Sequence, residues 1–157
     1  MSQFSLFEDP DPSPRYELLE VSCDGGSRGN PGPAAIGAVV VDPSTTPPAV
    51  VAEVSARIGV ATNNVAEYRA LLAGLEAAIA AGGRSVRVRA DSLLLIEQLK
   101  GNYKVKNAGL QPLWREAREL LRRFDDVELL HVRREFNRVA DALVNRALDA
   151  PDDLGST

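Results

Sequence analysis

A chain of 157 residues, 45% hydrophobic and 25% charged, has the size of one compact domain, and its net charge of −4 is unusual for a protein that binds polyanions. No apolar run reaches the roughly 20 residues needed to cross a bilayer, and the first ten residues lack a secretory signal, so we expect a cytoplasmic monomer with no membrane contact. One cysteine and one histidine exclude internal disulfides, zinc fingers and histidine-rich metal sites, which leaves carboxylates as metal ligands.

The chain begins with an acidic, proline-rich segment. Residues 8–15 hold three prolines and three acids, and proline disfavours helix in the residue before it, so we expect residues 1–15 to be a flexible tail. The predicted domain covers residues 16–148. Residues 149–157 hold three aspartates and no base, and we predict a disordered acidic tail there.

Alternating apolar residues predict three strands in the first half of the domain. Leu19, Val21 and Cys23 alternate with polar residues over residues 16–24, and similar patterns cover residues 34–42 and 49–57. The intervening residues, 25–33 and 43–48, are rich in glycine or proline and are predicted turns. Short connections of this kind indicate an antiparallel meander.

The pattern then changes to helical spacing over residues 63–81, with an asparagine cap at residue 63 or 64 and a stop at Gly82 and Gly83. The elements that follow are a strand at 86–90, helices at 92–100 and 110–124, a strand at 127–132 and a helix at 137–148. The order βββαβααβα predicts an α/β fold. We expect a mixed five-stranded sheet, a meander of three strands plus two parallel strands, with helices on both faces.

Four carboxylates lie near the predicted ends of these elements. Asp24 and Asp91 close predicted strands, and Glu67 and Asp141 fall in the first turns of predicted helices. Ligand sites of open α/β sheets form where such ends meet, and gathered carboxylates raise one another's pKa unless cations such as Mg²⁺ or Mn²⁺ occupy the site. Each acid taken alone is better explained as a helix cap or a solvated strand end, so spacing leaves both interpretations open.

Four segments together resemble the catalytic segments of type I ribonuclease H, in the family's order. They are DGGSRGNPGP at residues 24–33, TNNVAEY at 62–68, ADS at 90–92 and NRVADAL at 137–143. The resemblance implies a ribonuclease H-like fold. It also implies endonucleolytic cleavage of the RNA strand of RNA/DNA hybrids by a two-metal-ion mechanism, leaving 5′-phosphate and 3′-hydroxyl ends.

The resemblance also implies a role for individual side chains. Two Mg²⁺ ions, with Mn²⁺ as a substitute, would be held by Asp24, Glu67, Asp91 and Asp141. Contacts to the hybrid would come from Asn30, Asn63, Asn64, Gly25 and Arg28. A 2′-hydroxyl in the wide, shallow groove of an A-like duplex is a suitable target for such contacts. His131 is a candidate for proton transfer, although the residues around it, ELLHV at 128–132, are typical of a strand.

Two features depart from the family pattern. Leu93 follows ADS where the family often has a glutamine that reads the minor groove. Only residues 100–106 stand where some bacterial members carry a long basic handle, which predicts weaker and more salt-sensitive binding. The chain is more similar to members without the handle, found in archaea and actinobacteria, some of which cleave double-stranded RNA.

The charge distribution is compatible with nucleic-acid binding. Residues 16–148, without the two acidic ends, hold 17 basic and 16 acidic residues. With four of those acids neutralised by two divalent ions, the surface would carry about five positive charges.

Other functions remain open at this point. A double-stranded RNA nuclease, a DNA strand-transfer enzyme and a catalytically weak hybrid-binding module would share the fold. A nucleotide-binding domain is disfavoured because residues 25–32 lack the Gly-Lys-Ser/Thr ending of a phosphate loop and lead into a strand.

The first residues contain a second motif. QFSLF at residues 3–7 resembles the short peptide by which bacterial replication proteins dock onto the sliding clamp, so the clamp is a candidate partner through Gln3 to Phe7. The alternative is that Phe4, Leu6 and Phe7 cover an apolar patch on the domain.

Overall fold

The computed structural model describes residues 15–151 as one mixed sheet with helices packed against it. The strands are β1 (Tyr16–Ser27), β2 (Gly32–Asp42), β3 (Ala49–Ala61), β4 (Gly83–Ala90) and β5 (Asp126–His131). The helices are α1 (Asn63–Ala81), α2 (Leu93–Lys100), α3 (Gln111–Leu121) and α4 (Arg138–Asp149), with a short 3₁₀ helix at Arg134–Phe136. This order confirms the predicted succession βββαβααβα. None of the described helices is long and apolar enough to cross a membrane.

The sheet is five-stranded, with the order β3-β2-β1-β4-β5. The pairs β1–β2 and β2–β3 are antiparallel, whereas β1–β4 and β4–β5 are parallel. The predicted meander with two added parallel strands is therefore confirmed. The central strand is β1, the strand that carries Asp24.

The two faces of the sheet are covered by different helices. On β2, a Cβ placed on Gly37 would lie 2.4 Å from the carbonyl oxygen of Ala140 in α4, whereas Ala38 faces Gly74 of α1. Consecutive strand residues point to opposite faces, so α1 and α4 lie on opposite sides of the sheet. The larger core lies on the α1 side, where the predicted inward residues of β1, including Cys23, are buried.

The predicted turn at residues 25–33 is wrong at both ends. Residues 25–27 continue β1 and pair with residues 34–36 of β2, so the turn shrinks to residues 28–31. Glycine has a low strand propensity, but here the ladder to β2 outweighs it. Asp24 therefore lies three residues inside β1 and does not close the strand.

The cap of α1 also differs from the prediction. The N-cap is Thr62, whose hydroxyl accepts a hydrogen bond from the Val65 N–H at 3.2 Å, so neither Asn63 nor Asn64 has this role. The predicted stop is confirmed, because Gly82 adopts the left-handed conformation with φ of 91°.

The two predicted tails fall mostly beyond the described residues. The motif at residues 3–7 lies outside them, as do residues 152–157. At the start of the described range, the N–H groups of Arg15 and Tyr16 both donate to the Gly82 carbonyl, at 2.8 and 3.1 Å. At the other end, α4 includes Asp149, the first residue of the predicted acidic tail.

Candidate active site

The structure brings three of the four predicted carboxylates into one group. One carboxylate oxygen from each of Asp24, Glu67 and Asp91 lies within 4.8 Å of the other two, and we call these three residues the carboxylate cluster. The fourth acid, Asp141, lies within hydrogen-bonding reach of Asp24. An open cavity of about 660 Å³, here called the main cavity, is lined by Asp24, Asp91 and Asp141.

Strand register places Asp24 beside Asp91. Cys23 of β1 pairs with Ala90 at the end of the parallel strand β4, so the residues that follow them lie at the same level of the sheet. Ser92 then caps α2, its hydroxyl accepting from the Leu95 N–H at 3.2 Å. Because the chain leaves the sheet to begin α2 directly after Asp91, the Asp91 carboxylate lies at the carboxyl end of β4.

Gly25 allows α1 to bring Glu67 to the cluster. A Cβ on Gly25 would lie 2.2 Å from the carbonyl carbon and oxygen of Ala66, a separation that real atoms do not tolerate. The Gly25 N–H donates to Glu67 Oε1 at 2.5 Å. Glu67 is the fifth residue of α1, so it lies just beyond the first turn in which the sequence placed it.

Gly37 performs the corresponding role for α4, although it was not among the predicted site residues. It is the cross-strand partner of Asp24, and α4 passes so close that a Cβ there would meet Ala140 O. The close approach brings the first turn of α4, which carries Asp141 as predicted, over Asp24. A glycine inside an apolar strand is the signal that could have indicated such an approach.

The acids of the cluster are under electrostatic strain. Burial, followed by the charge of Asp91, raises the pKa of Asp24 to about 7. Burial, followed by the charge of Asp24, raises the pKa of Glu67 to about 9. The charged forms are therefore disfavoured near neutral pH unless positive charge compensates them, and an oxygen-only donor set of this kind fits hard divalent cations.

The raised pKa values predict how the metal-free protein responds to pH. The folded-state values exceed the ordinary values of 3.8 and 4.5, so the folded state holds these protons more tightly. The resulting stabilisation is complete below about pH 4 and is lost as the pH rises through about 7 for Asp24 and about 9 for Glu67. We expect thermal unfolding in EDTA to occur at a lower temperature at pH 9 than at pH 5.

The control for this prediction is Mg²⁺, which should reverse much of the loss at pH 9 because it neutralises the ionised carboxylates. Asp24→Asn should flatten the decline between pH 4 and pH 7. An unfolding temperature that does not fall between pH 5 and pH 9 in EDTA would contradict the assignment.

Basic side chains form part of the wall of the main cavity. His131, the last residue of β5, lies there with Arg133 and Arg134 of the following segment. His131 is exposed, so the predicted proton-transfer candidate faces the cavity even though it belongs to a strand.

Asn63 lines the main cavity, and Asn30 is hydrogen-bonded to Asn63. Asn30 Oδ1 accepts from the Asn63 backbone N–H at 2.9 Å, and Asn63 Oδ1 accepts from the Ser27 N–H at 2.9 Å. Both side-chain oxygens are therefore occupied, which leaves the amino groups as the donors these residues can offer. Asn64 is exposed in the first turn of α1.

Arg28 has an acidic partner in this structure. Its guanidinium lies 2.6 Å from a carboxylate oxygen of Asp149 at the end of α4, and both side chains are more than half exposed. A substrate contact was predicted for Arg28 but this ion pair was not, because residues 121 positions apart give no local signal of contact.

Comparison with known proteins places the chain in a family. Residues 22–147 match a family model described as reverse transcriptase-like. Ribonuclease HI of Halobacterium salinarum is 49% identical over 126 residues, which are 80% of this chain and 62% of that protein. A bifunctional protein of Mycobacterium tuberculosis is 48% identical over 132 residues, 83% of this chain but only 35% of that protein. The chain thus spans less than two thirds of these curated relatives.

Solved structures match over a larger share of their own length. Ribonuclease H1 of Halobacterium salinarum superposes with a TM-score of 0.80 at 47% identity, covering 84% of this chain and 98% of that one. The N-terminal ribonuclease H domain of the mycobacterial protein gives 0.79 at 46%, covering 84% and 99%. A ribonuclease H1 isolated from compost, solved with an RNA/DNA hybrid, gives 0.76 at 40%, covering 83% and 96%. The chain therefore belongs to the type I ribonuclease H family.

Proposed function

We propose that this chain hydrolyses the RNA strand of RNA/DNA hybrids, using divalent ions held at the carboxylate cluster and Asp141. The observation that carries the proposal is the gathering of three acids within 4.8 Å beside an open cavity of about 660 Å³. The similar ribonuclease H1 from compost was solved in complex with an RNA/DNA hybrid, which supports this substrate.

The donor set supports a pair of hard ions. Asp24, Glu67, Asp91 and Asp141 would hold two Mg²⁺, for which Mn²⁺ can substitute, since all four offer carboxylate oxygens. When bound, the ions supply an activated water and stabilise the leaving 3′-oxygen, so the products carry 5′-phosphate and 3′-hydroxyl ends.

The asparagines would recognise the hybrid as hydrogen-bond donors. Because the side-chain oxygens of Asn30 and Asn63 are occupied, their amino groups can donate to a ribose 2′-oxygen or to base acceptors in the minor groove. Asn64 would add a further contact from the same turn. Leu93 is exposed at the start of α2 and cannot form such a bond, which gives the asparagines a larger share of recognition.

Other residues would orient the substrate and move protons. The Gly25 N–H is occupied by Glu67, so we assign Gly25 to the shape of the site. Glu67 would meet the RNA 2′-hydroxyl. His131, exposed at the wall of the main cavity, would transfer a proton to or from the reacting phosphate group.

The test of this proposal is an assay of labelled RNA/DNA hybrid with Mg²⁺, Mn²⁺ or EDTA, run beside double-stranded RNA. We expect metal-dependent cuts in the RNA strand of the hybrid and none in EDTA. Cleavage of double-stranded RNA at a comparable rate would favour the alternative nuclease. Binding of the hybrid without cleavage at any metal concentration would favour the hybrid-binding module and contradict the proposal.

The ion pair between Arg28 and Asp149 predicts that substrate affinity can be increased. If Arg28 contacts a phosphate, Asp149 competes with the hybrid for the guanidinium. Exposed pairs of this kind contribute up to about 1 kcal/mol, so we expect Asp149→Asn to tighten hybrid binding by about two- to fivefold at low salt. Fluorescence anisotropy of a labelled hybrid measures the change.

The matched control is Asp125→Asn. Asp125 forms an equally exposed pair with Arg84 at 2.9 Å, at the opposite end of β5 from His131. Both substitutions remove one negative charge, so an equal gain in affinity from the two variants would show a general charge effect and would contradict the role of Arg28.

We also propose that the protein is a cytoplasmic monomer whose N-terminal tail docks onto the replication sliding clamp through Gln3 to Phe7. The support is the motif itself followed by proline-rich residues that separate it from the domain. Titration of a peptide of residues 1–10 against the clamp tests the docking. Absence of binding at high micromolar concentration would end the idea.

A further inference from the structure

The buried side chain of Asn137 joins the two elements that carry Asp24 and Asp141. It is 2% exposed, and its Nδ2 donates to the carbonyl oxygen of Cys23, the residue before Asp24, at 2.9 Å. Its own backbone carbonyl accepts from the N–H of Asp141 at 3.1 Å. Asn137 is therefore hydrogen-bonded both to the strand that carries Asp24 and to the helix that carries Asp141.

Asn137 does not use its side chain in the way its position suggests. It occupies the N-cap of α4, where an asparagine normally accepts a hydrogen bond from the first turn, but its side chain makes no capping bond. Its Oδ1 is buried without a hydrogen-bond partner among the described residues. The Asn137 side chain therefore makes its bond to β1 without capping α4, and its buried Oδ1 is left without a donor in the described part of the chain.

Among the described residues, Ser55 and Arg57 of β3 also attach α4 to the sheet, and neither lies next to an acid of the site. Ser55 Oγ donates to the Leu143 carbonyl at 2.6 Å, and Arg57 Nε donates to the Ala147 carbonyl at 2.9 Å. These bonds hold the middle and the end of the helix. Only Asn137, among these three, fixes the first turn, where a small rotation of α4 would separate Asp141 from Asp24.

We propose that Asn137 is a positioning residue that holds the Asp141 carboxylate against Asp24 and thereby sets the affinity of the site for divalent ions. The inference rests on the proposed function, because it assigns these acids to metal. Replacing a residue that orients a metal ligand without touching the metal typically lowers metal affinity or activity by about 10- to 100-fold.

The test compares Asn137→Ala with Ser55→Ala, since each removes one side-chain bond from α4 to the sheet. Isothermal titration calorimetry with Mn²⁺ measures affinity, and thermal unfolding in EDTA measures stability. We expect both variants to lose stability, but only Asn137→Ala to weaken Mn²⁺ binding, by about tenfold. Cleavage by that variant should need correspondingly more metal and should recover its maximal rate at saturation.

A second variant separates positioning from folding. Asn137→Ser can supply the side-chain capping bond that Asn137 does not make, but serine is too short to reach the Cys23 carbonyl. This variant should therefore lose less stability than Asn137→Ala and still weaken Mn²⁺ binding. Wild-type affinity in Asn137→Ser or Asn137→Ala would overturn the proposal, as would an equal loss of affinity in Ser55→Ala. If the wild type binds Mn²⁺ but does not cleave hybrids, the proposed activity fails while the calorimetric comparison still tests Asn137.

Discussion

Asp24→Asn is expected to abolish hybrid cleavage, with a rate at least about a thousandfold lower than that of the wild type at saturating Mg²⁺. Asp24 is central to the site, since its carboxylate interacts with Asp91, Glu67 and Asp141. An amide of the same size removes the charge and one ionic oxygen ligand, while the packing of β1 is unchanged. A single-turnover assay with labelled hybrid measures the effect.

Thermal unfolding distinguishes a loss of cleavage in Asp24→Asn from misfolding of the variant. Asn removes a buried carboxyl whose ionisation is unfavourable in the fold, so the variant in EDTA at pH 8 should unfold at the same temperature as the wild type or higher. Asp126→Asn, at the exposed start of β5, is the control and should cleave normally. Residual cleavage by Asp24→Asn within tenfold of the wild type would remove Asp24 from the catalytic assignment.

Gly25→Ala is expected to impair stability and cleavage, whereas Gly26→Ala is expected to leave both close to wild type, although the two residues are adjacent in β1. At Gly25 the added methyl would lie 2.2 Å from the Ala66 carbonyl, whereas at Gly26 its nearest neighbour would be Val144 Cγ1 at 3.8 Å. Only Gly25→Ala must therefore push α1 away from the strand and displace Glu67 from Asp24. Overpacking of this kind costs about 1–3 kcal/mol, and misplacement of a catalytic group by about 1 Å can cost about 100-fold in rate.

The pair is a controlled comparison because both substitutions restrict the unfolded chain to the same extent. Thermal unfolding and the cleavage rate should both fall for Gly25→Ala and stay close to wild type for Gly26→Ala. Equal behaviour of the two variants would mean that the contact between Gly25 and α1 does not control the position of Glu67.

Local patterns in the chain were enough to predict the order of elements and the fold class. Alternation at Leu19, Val21 and Cys23 predicted a half-buried strand, and all three residues are buried. Such patterns are reliable because they depend on which side of one strand or helix faces the core. The four acids were identified from the residues around them, since each acid taken alone was better explained as a helix cap or a solvated strand end.

Contacts between distant residues were not predictable in this way. Gly25 and Gly37 do not by themselves indicate which helix will pass within contact distance, and nothing near Arg28 indicates Asp149. The extension of β1 through residue 27 depends on its pairing with β2, which overrides the local preference of glycine.

The chain alone thus specifies which residues form each strand and helix and which acids are candidates for chemistry, because those signals are carried by near neighbours. The separations among Asp24, Glu67, Asp91 and Asp141, and the bond from Asn137 to β1, arise from packing of α1 and α4 against opposite faces of one sheet. These distances depend on tertiary contacts because each side chain comes from a different element, and only close packing of those elements fixes how far apart they lie.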